Sequence, residues 1–205
     1  FTLLPKQFVL KSTHGCGDII VVKDKSQINQ RLIRKSMHNA VSEIYGELEG
    51  GKHYMRIKPA IIAEKLLAND KQSLAYSSSL IDYKFWCFNG KVKYIMTCTN
   101  RDKNGLDLHL YDVNWDSHVS MLNSSTHYRK GSVIPTPSNF EEMLRIAEKL
   151  ANPFPVVRVD LYNLEGKIYF GEMTFCTWDG FIVFTPAEWD NILGEMIKLP
   201  ECLNE

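Results

Sequence analysis

Apolar runs recur along the chain, some alternating and some continuous, with polar stretches bearing glycine or proline between them. "FVLKSTHGCGDIIVVKDK" reads as two strands, Phe8 to Thr13 and Ile19 to Lys23, around a glycine-bearing loop from His14 to Asp18. A helix follows from about Gln27 to Tyr45, with Ser26 as its cap and Ile28, Leu32, Val41 and Ile44 on its apolar side. Lys58 to Leu67, "KPAIIAEKLL", reads as a short buried strand or an extended linker, because Pro59 disfavours helix at its start. "DKQSLAYSSS" reads as a surface loop.

Beyond it, "LIDYKFWCF" and "KVKYIMTCT" flank Asn89-Gly90, a strong hairpin signal between aromatic and β-branched runs. Arg101 to Pro137 is polar and irregular. Ser138-Asn139-Phe140-Glu141 has capping-box spacing, so a helix starts there, with Leu144, Ala147, Leu150 and Ala151 on its apolar side and Pro153 and Pro155 at its end. "RVDLYNLEGKIYFGEMTF", Arg158 to Phe175, reads as a second hairpin, and a last helix runs from about Pro186 to Lys198. This order predicts an α+β chain with a mainly antiparallel sheet. At 205 residues it forms one large domain or two closely packed subdomains.

Composition removes several function classes. Lys plus Arg balance Asp plus Glu at 24 each, so bulk charge supports neither nucleic-acid nor membrane-surface binding. The five cysteines, Cys16, Cys87, Cys98, Cys176 and Cys202, include no CxxC pair, which fits a reducing cytosol better than a disulfide framework. The six histidines show no HxxxH spacing, so no zinc site is expected. No apolar run reaches the roughly 18–20 residues of a membrane span, and no signal peptide is visible. The chain opens on Phe1 rather than Met, which suggests a portion of a longer polypeptide.

The second hairpin carries the clearest chemistry. With a three-residue loop, Leu164-Glu165-Gly166, Asn163 would oppose Lys167 and Arg158 would oppose Glu172. Arg158, Asp160, Glu172 and Thr174 would then share one face. A two- or four-residue loop would send the two acids to opposite faces. Two carboxylates about 7–8 Å apart repel unless a cation sits between them, and magnesium takes one or two carboxylates plus phosphate oxygens. A salt bridge on a solvated sheet face is the alternative. In "LKSTHGCG", Gly15 and Gly17 let backbone N–H groups approach an anion and Lys11 can reach it; a plain hairpin turn reads as well. Glu64 could accept from a ribose hydroxyl or simply end a strand. Alternation puts Asp82, Lys84 and Trp86 on one strand face, where Lys84 either reaches a phosphate or snorkels to solvent beside Asp82. Arg101 is a candidate second cation.

Taken in order, these segments resemble the ATP-grasp superfamily, most closely its TupA-like branch. The resemblance rests on "FVLKSTHGCGDIIVVKDK", "KPAIIAEKLL", "DYKFWCFNGKVKYI", "FEEMLRIAEKLA" and "FPVVRVDLYNLEGKIYFGEMTF". It implies two α+β subdomains, 1–67 and 68–205, whose antiparallel sheets grip ATP. It implies that Lys11 meets the nucleotide phosphates, that Gly15 and Gly17 cover them, and that Glu64, Lys65 and Leu67 read ribose and adenine. Asp160 and Glu172 would hold Mg2+ with Thr174, where the superfamily commonly has Asn, and Arg158 would stabilise phosphoryl transfer; Lys84, from its place on the aromatic strand, is the other candidate catalytic residue. The implied activity is a carboxylate–amine ligation through an acylphosphate. Its substrates would be a uronic acid or amino acid of a bacterial surface polymer or capsule, and its place the cytoplasm beside a membrane-bound synthesis complex. An N-terminal substrate domain and a further ATP lysine would precede Phe1. The rival readings are a glycosyltransferase, although the chain has no DxD motif, and a non-catalytic nucleotide-binding module.

Overall fold

The computed structural model describes residues 1–15, 17–45, 52–123 and 127–199. The chain divides into two compact units, Phe1–Ala68 and Asn69–Glu205.

In the first unit, β1 (Phe8–Ser12), β2 (Ile19–Val22) and β3 (Ile61–Lys65) form an antiparallel sheet in the order β2-β1-β3. Helix α1 (Gln30–Ser42) packs on β1. Strand alternation sends Phe8, Leu10 and Val22 to the helix side, where Met37 and Ala40 complete a small core. The helix is shorter than its sequence suggests and is capped elsewhere. Asn29 Oδ1 accepts from the N–H groups of Arg31 at 3.1 Å and Leu32 at 3.2 Å, and Ser26 instead belongs to a 3-10 turn capped by Asp24. Its buried face is also different, since Leu32 and Ile44 are exposed. β3 is not buried either: it is an edge strand with Ile61 and Ile62 open to solvent.

The second unit has a six-stranded sheet in the order β7-β6-β5-β4-β8-β9. Its strands are β4 (Asp82–Phe88), β5 (Lys91–Asp102), β6 (Gly105–Asp112), β7 (Tyr128–Lys130), β8 (Val156–Leu164) and β9 (Lys167–Thr174). The pairings are antiparallel except β6 with β7. Helix α2 (Phe140–Ala151) covers one face, where Phe140, Met143, Ala147 and Ala151 meet Phe85, Val159 and Leu161. The other face buries Trp86, Met96, Cys98 and Leu110 under Met121, Phe184 and Leu193, the last from helix α3 (Glu188–Glu195). β4 lies between β5 and β8 and is buried along its whole length.

Three expectations change in this unit. The stretch from Arg101 to Pro137 is not wholly irregular, because Leu106, Leu108 and Leu110 alternate into the core from β6. The capping box does not form: α2 starts at Phe140 after Asn139, whose side chain makes no cap bond and donates instead to the Gly166 carbonyl at 2.9 Å. The last helix is shorter, Glu188–Glu195. Cys87, Cys98 and Cys176 are free thiols, while Cys16 and Cys202 lie outside the described residues. No helix among the described residues is long and apolar enough to cross a membrane.

The β8–β9 hairpin corrects the expected register. Its loop has two residues, Glu165 (φ 52°) and Gly166 (φ 74°), with Leu164 opposite Lys167. Positive φ at both positions is the type I′ turn that matches strand twist. Such a loop alone would place Asp160 and Glu172 on opposite faces. A bulge prevents this: Leu161 opposes Phe170 and Asp160 opposes Glu172, so Gly171 is the extra residue. The pairs are therefore Asp160–Glu172 and Arg158–Thr174, not Arg158–Glu172. A Cβ on Gly171 would stand 3.0 Å from the Asp160 carbonyl oxygen, so only glycine fits without backbone movement. Gly171→Ala is expected to lower stability by about 1–2 kcal/mol, the usual overpacking cost. Thermal melts should show a Tm lower by roughly 2–8 °C for a chain of this size.

Candidate functional site

Each unit carries a cluster of charged groups on one face of its sheet. In the second unit the cluster lies on the face away from α2. β4 supplies Asp82 and Lys84, β8 supplies Arg158 and Asp160, and β9 supplies Glu172 and Thr174. Cross-strand pairing makes Lys84 the neighbour of Asp160 and puts Glu172 on Asp160's other side.

Arg158 grips Asp160 with two bonds, Nε to Oδ1 at 2.7 Å and Nη2 to Oδ2 at 2.8 Å. Its Nη2 also donates to Glu172 Oε1 at 3.1 Å and to Thr174 Oγ1 at 2.9 Å. Lys84 Nζ donates to Asp160 Oδ2 and lies 2.7 Å from Asp82 Oδ2. Arg101 Nη2 stands 3.9 Å from Asp82. Asp160 is 1% exposed and Lys84 and Arg158 are each 8% exposed, so this is not a solvated surface ion pair. Nor does Lys84 snorkel outward, since β4 is interior to the sheet. Glu172 is the open member, with a side chain 61% exposed.

Burial pushes the Asp160 carboxyl up, but the charges and hydrogen bonds of Lys84 and Arg158 outweigh it and hold Asp160 below the usual carboxylate range. Burial also raises Asp82, despite Lys84 beside it. Glu172 is raised by desolvation and then by the negative charge of Asp160. An acid whose folded pKa is raised destabilises the fold when it ionises, fully above the folded pKa and not at all below the unfolded value near 4.3. Glu172→Gln is therefore expected to raise the Tm slightly at pH 8, by about 1 °C for a largely exposed group. The difference from wild type should close below about pH 4.

Asp160, Glu172 and Thr174 offer two hard carboxylates and a hydroxyl across one strand pair, a donor set that suits magnesium with phosphate and water completing the shell. No group of three His, Cys, Asp or Glu is gathered for a metal among the described residues.

In the first unit the face away from α1 carries Lys11 and Glu64, whose Nζ and Oε2 are 2.6 Å apart. Lys11 pairs with Ile19 on one side and Ile62 on the other, and Val9 pairs with Val21 and Glu64. Ile19, Val21 and Ile62 are 54%, 50% and 41% exposed. The result is an exposed apolar sheet surface bearing the Lys11–Glu64 ion pair. Lys65 ends β3 opposite Phe8, pointing away from Glu64, and Leu67 follows it, half-buried. Gly17 turns the chain at φ 92°, whereas a Cβ on Gly15 would stand 3.0 Å from the Tyr45 ring. Gly15 thus also serves packing within the unit. Between β1 and Gly15, the buried His14 donates from Nε2 to the Glu43 carbonyl at 3.0 Å.

Sequence reasoning undervalued Asp82, treated only as a solvent-side neighbour of Lys84, and missed the Gly171 bulge. The one available signal for the bulge was a glycine inside a strand pattern.

No curated protein matches the chain. Among solved structures, it resembles D-alanine–D-alanine ligase from Bacillus anthracis at 14% identity and TM-score 0.51, covering 93% of this chain and 52% of the ligase. A structure of that Bacillus anthracis ligase complexed with ATP aligns at 16% identity and TM-score 0.43, over 82% of this chain and 40% of that one. The ATP-grasp ligase PsnB, complexed with a precursor variant, Mg and ADP, aligns at 10% identity and TM-score 0.41, over 94% and 46%. The chain thus spans about half the length of these structures, and the first likeness agrees with the α+β fold described above. The family model of TupA-like ATPgrasp matches residues 1–198, nearly the whole described chain, and the chain belongs to the TupA-like ATP-grasp family.

Proposed function

We propose that the chain is the ATP-binding part of a carboxylate–amine ligase. The observation that carries this reading is the convergence of Lys84, Arg158, Asp160, Glu172 and Thr174 on one sheet face, with Asp160 buried and Glu172 open. Family membership supports ATP as the nucleotide.

Lys11 binds phosphate oxygens, Glu64 the ribose, and main-chain groups of Lys65 and Leu67 the adenine, while the loop of Gly15 and Gly17 covers the phosphates. Asp160, Glu172 and Thr174 hold Mg2+, which supplies charge neutralisation to the phosphates. Arg158 and Lys84 stabilise the charge that spreads over the transferring phosphoryl group. A substrate carboxylate oxygen attacks the γ-phosphorus, the bond to the bridging oxygen breaks, and ADP leaves. An amine nitrogen then attacks the acyl carbon, phosphate departs, and the amine's proton passes to phosphate or solvent. Positioning of the reactants supplies much of the acceleration. The surface-polymer association of the TupA-like branch supports a uronic acid or amino acid as carboxylate donor, in the cytoplasm beside a polymer-synthesis complex.

The test is a thermal-shift series with ATP, ADP and UDP-sugars, each with and without magnesium. Stabilisation by ATP that requires magnesium and disappears in Glu172→Gln is expected. A response to UDP-sugars with none to ATP sinks the reading in favour of glycosyl transfer. ADP release on adding carboxylate and amine then separates a ligase from a binding module.

A further inference from the structure

Asp160 accepts three charged hydrogen bonds on its two oxygens. Oδ1 takes Arg158 Nε, and Oδ2 takes both Arg158 Nη2 and Lys84 Nζ. On the ligase reading, on which this inference rests, the same carboxylate also holds a divalent cation. An ammonium fixed on Oδ2 competes with that cation directly.

Asp82 offers a way out of the competition. It sits two residues before Lys84 on the same face of β4, with Oδ2 2.7 Å from the ammonium. It is 7% exposed, and its Oδ1 is buried with no hydrogen-bond partner among the described residues. A buried carboxylate oxygen without a donor is costly, so its retention calls for a reason beyond stability. The free oxygen lies on the very group that already holds Lys84.

We propose that Asp82 is a positioning residue that takes sole charge of Lys84 when Asp160 turns to the metal. Lys84 Nζ, now shared between two carboxylates, moves wholly onto Asp82, where Oδ1 accepts a second ammonium N–H. No covalent bond changes. The Asp82–Lys84 pair stays neutral, Asp160 Oδ2 loses the competing ammonium while Arg158 keeps its two bonds, and the lysine remains tethered on the site's face.

The experiment titrates magnesium at fixed ADP and reads the nucleotide-dependent rise in Tm. In Asp82→Asn the lysine has only Asp160 as an ionic partner, so the magnesium needed for half the shift should rise about tenfold, the worth of one charge-assisted hydrogen bond. The shift at saturating magnesium should be largely kept. In a Lys84→Gln background the Asp82 change should have no further effect on the magnesium requirement. Should Asp82→Asn not fold, Asp82→Glu, which keeps the charge and displaces it, should give a smaller rise of the same sign. An unchanged magnesium requirement, with only the nucleotide-free Tm lowered, overturns the proposal and leaves Asp82 a packing residue. An equal effect in the Lys84→Gln background also overturns it. A wild type that shows no magnesium-dependent shift with ADP or ATP fails the ligase reading itself, a result distinct from either of those.

Discussion

Asp160→Ala is expected to lower the stability of the nucleotide-free protein by about 3 kcal/mol, and to abolish magnesium-dependent stabilisation by ATP. The first effect follows from what stays behind. Removing one partner of a buried ion pair commonly costs about 3–5 kcal/mol, because the remaining charge keeps its desolvation penalty. The lower end applies here, since Lys84 retains Asp82 and Arg158 retains Glu172 and Thr174. For a chain of this size the Tm should fall by roughly 6–12 °C. Acid should act in the same direction. Asp160's folded pKa lies below its unfolded value near 3.9, so its contribution is present above that value and is lost as pH falls through the folded pKa. Replacing the cluster by well-packed apolar groups of similar volume, such as Asp82→Leu, Lys84→Met, Arg158→Met and Asp160→Leu together, should restore near wild-type stability but no nucleotide response. Urea melts of the single and combined variants, each repeated with magnesium and ATP, check both statements. A single Asp160→Ala variant as stable as wild type contradicts the buried-charge account.

Lys11→Met should weaken ATP binding by about 10–100-fold while barely moving the Tm of the free protein. The contrast with Asp160 comes from exposure. Lys11 and Glu64 keep 28% and 38% of their side chains open, and a pair of that kind contributes about 0–1 kcal/mol to folding. Methionine preserves the stem that lies between Ile19 and Ile62, so the apolar surface survives and only the charge is removed. Calorimetric titration with ATP and magnesium measures the affinity, and a thermal melt without nucleotide checks the stability. Unchanged affinity would remove Lys11 from the phosphate site.

Much of the framework was legible because local chemistry and long-range packing agree where it is strongest. Asn89-Gly90 specifies a two-residue turn with φ 49° and 76°, and the β4–β5 hairpin follows from it. The common face of Arg158, Asp160, Glu172 and Thr174 was also foreseen, though through a loop that does not form. The turn takes two residues, and a bulge restores the face. Bulges carry no sequence mark beyond a glycine, so counting alone leads to the wrong pairing. β6 was passed over although Leu106, Leu108 and Leu110 alternate, because polar residues surround them on both sides. Helix α1 misled for a different reason. It rests on a sheet of three strands, so a thin stripe around Met37 and Ala40 is covered while Leu32 stays in water. Asp82's place beside Lys84 was readable from strand period, but its burial was not. That depends on β8 lying along β4, a pairing between residues 76 apart at Lys84 and Asp160.

The bulge at Gly171 gives the hairpin slack. In a regular hairpin, losing one residue from a strand moves every residue beyond it to the opposite face. Here one residue can be lost anywhere from Lys167 to Gly171 and the ladder closes up, with Glu172 still across from Asp160. A loss between Glu172 and Thr174 has no such reserve and would carry the threonine off Arg158's side. Length variation in relatives should therefore be tolerated on the turn side of Glu172 and absent beyond it. An alignment that counts back from Glu165-Gly166 would place the second acid one position too early.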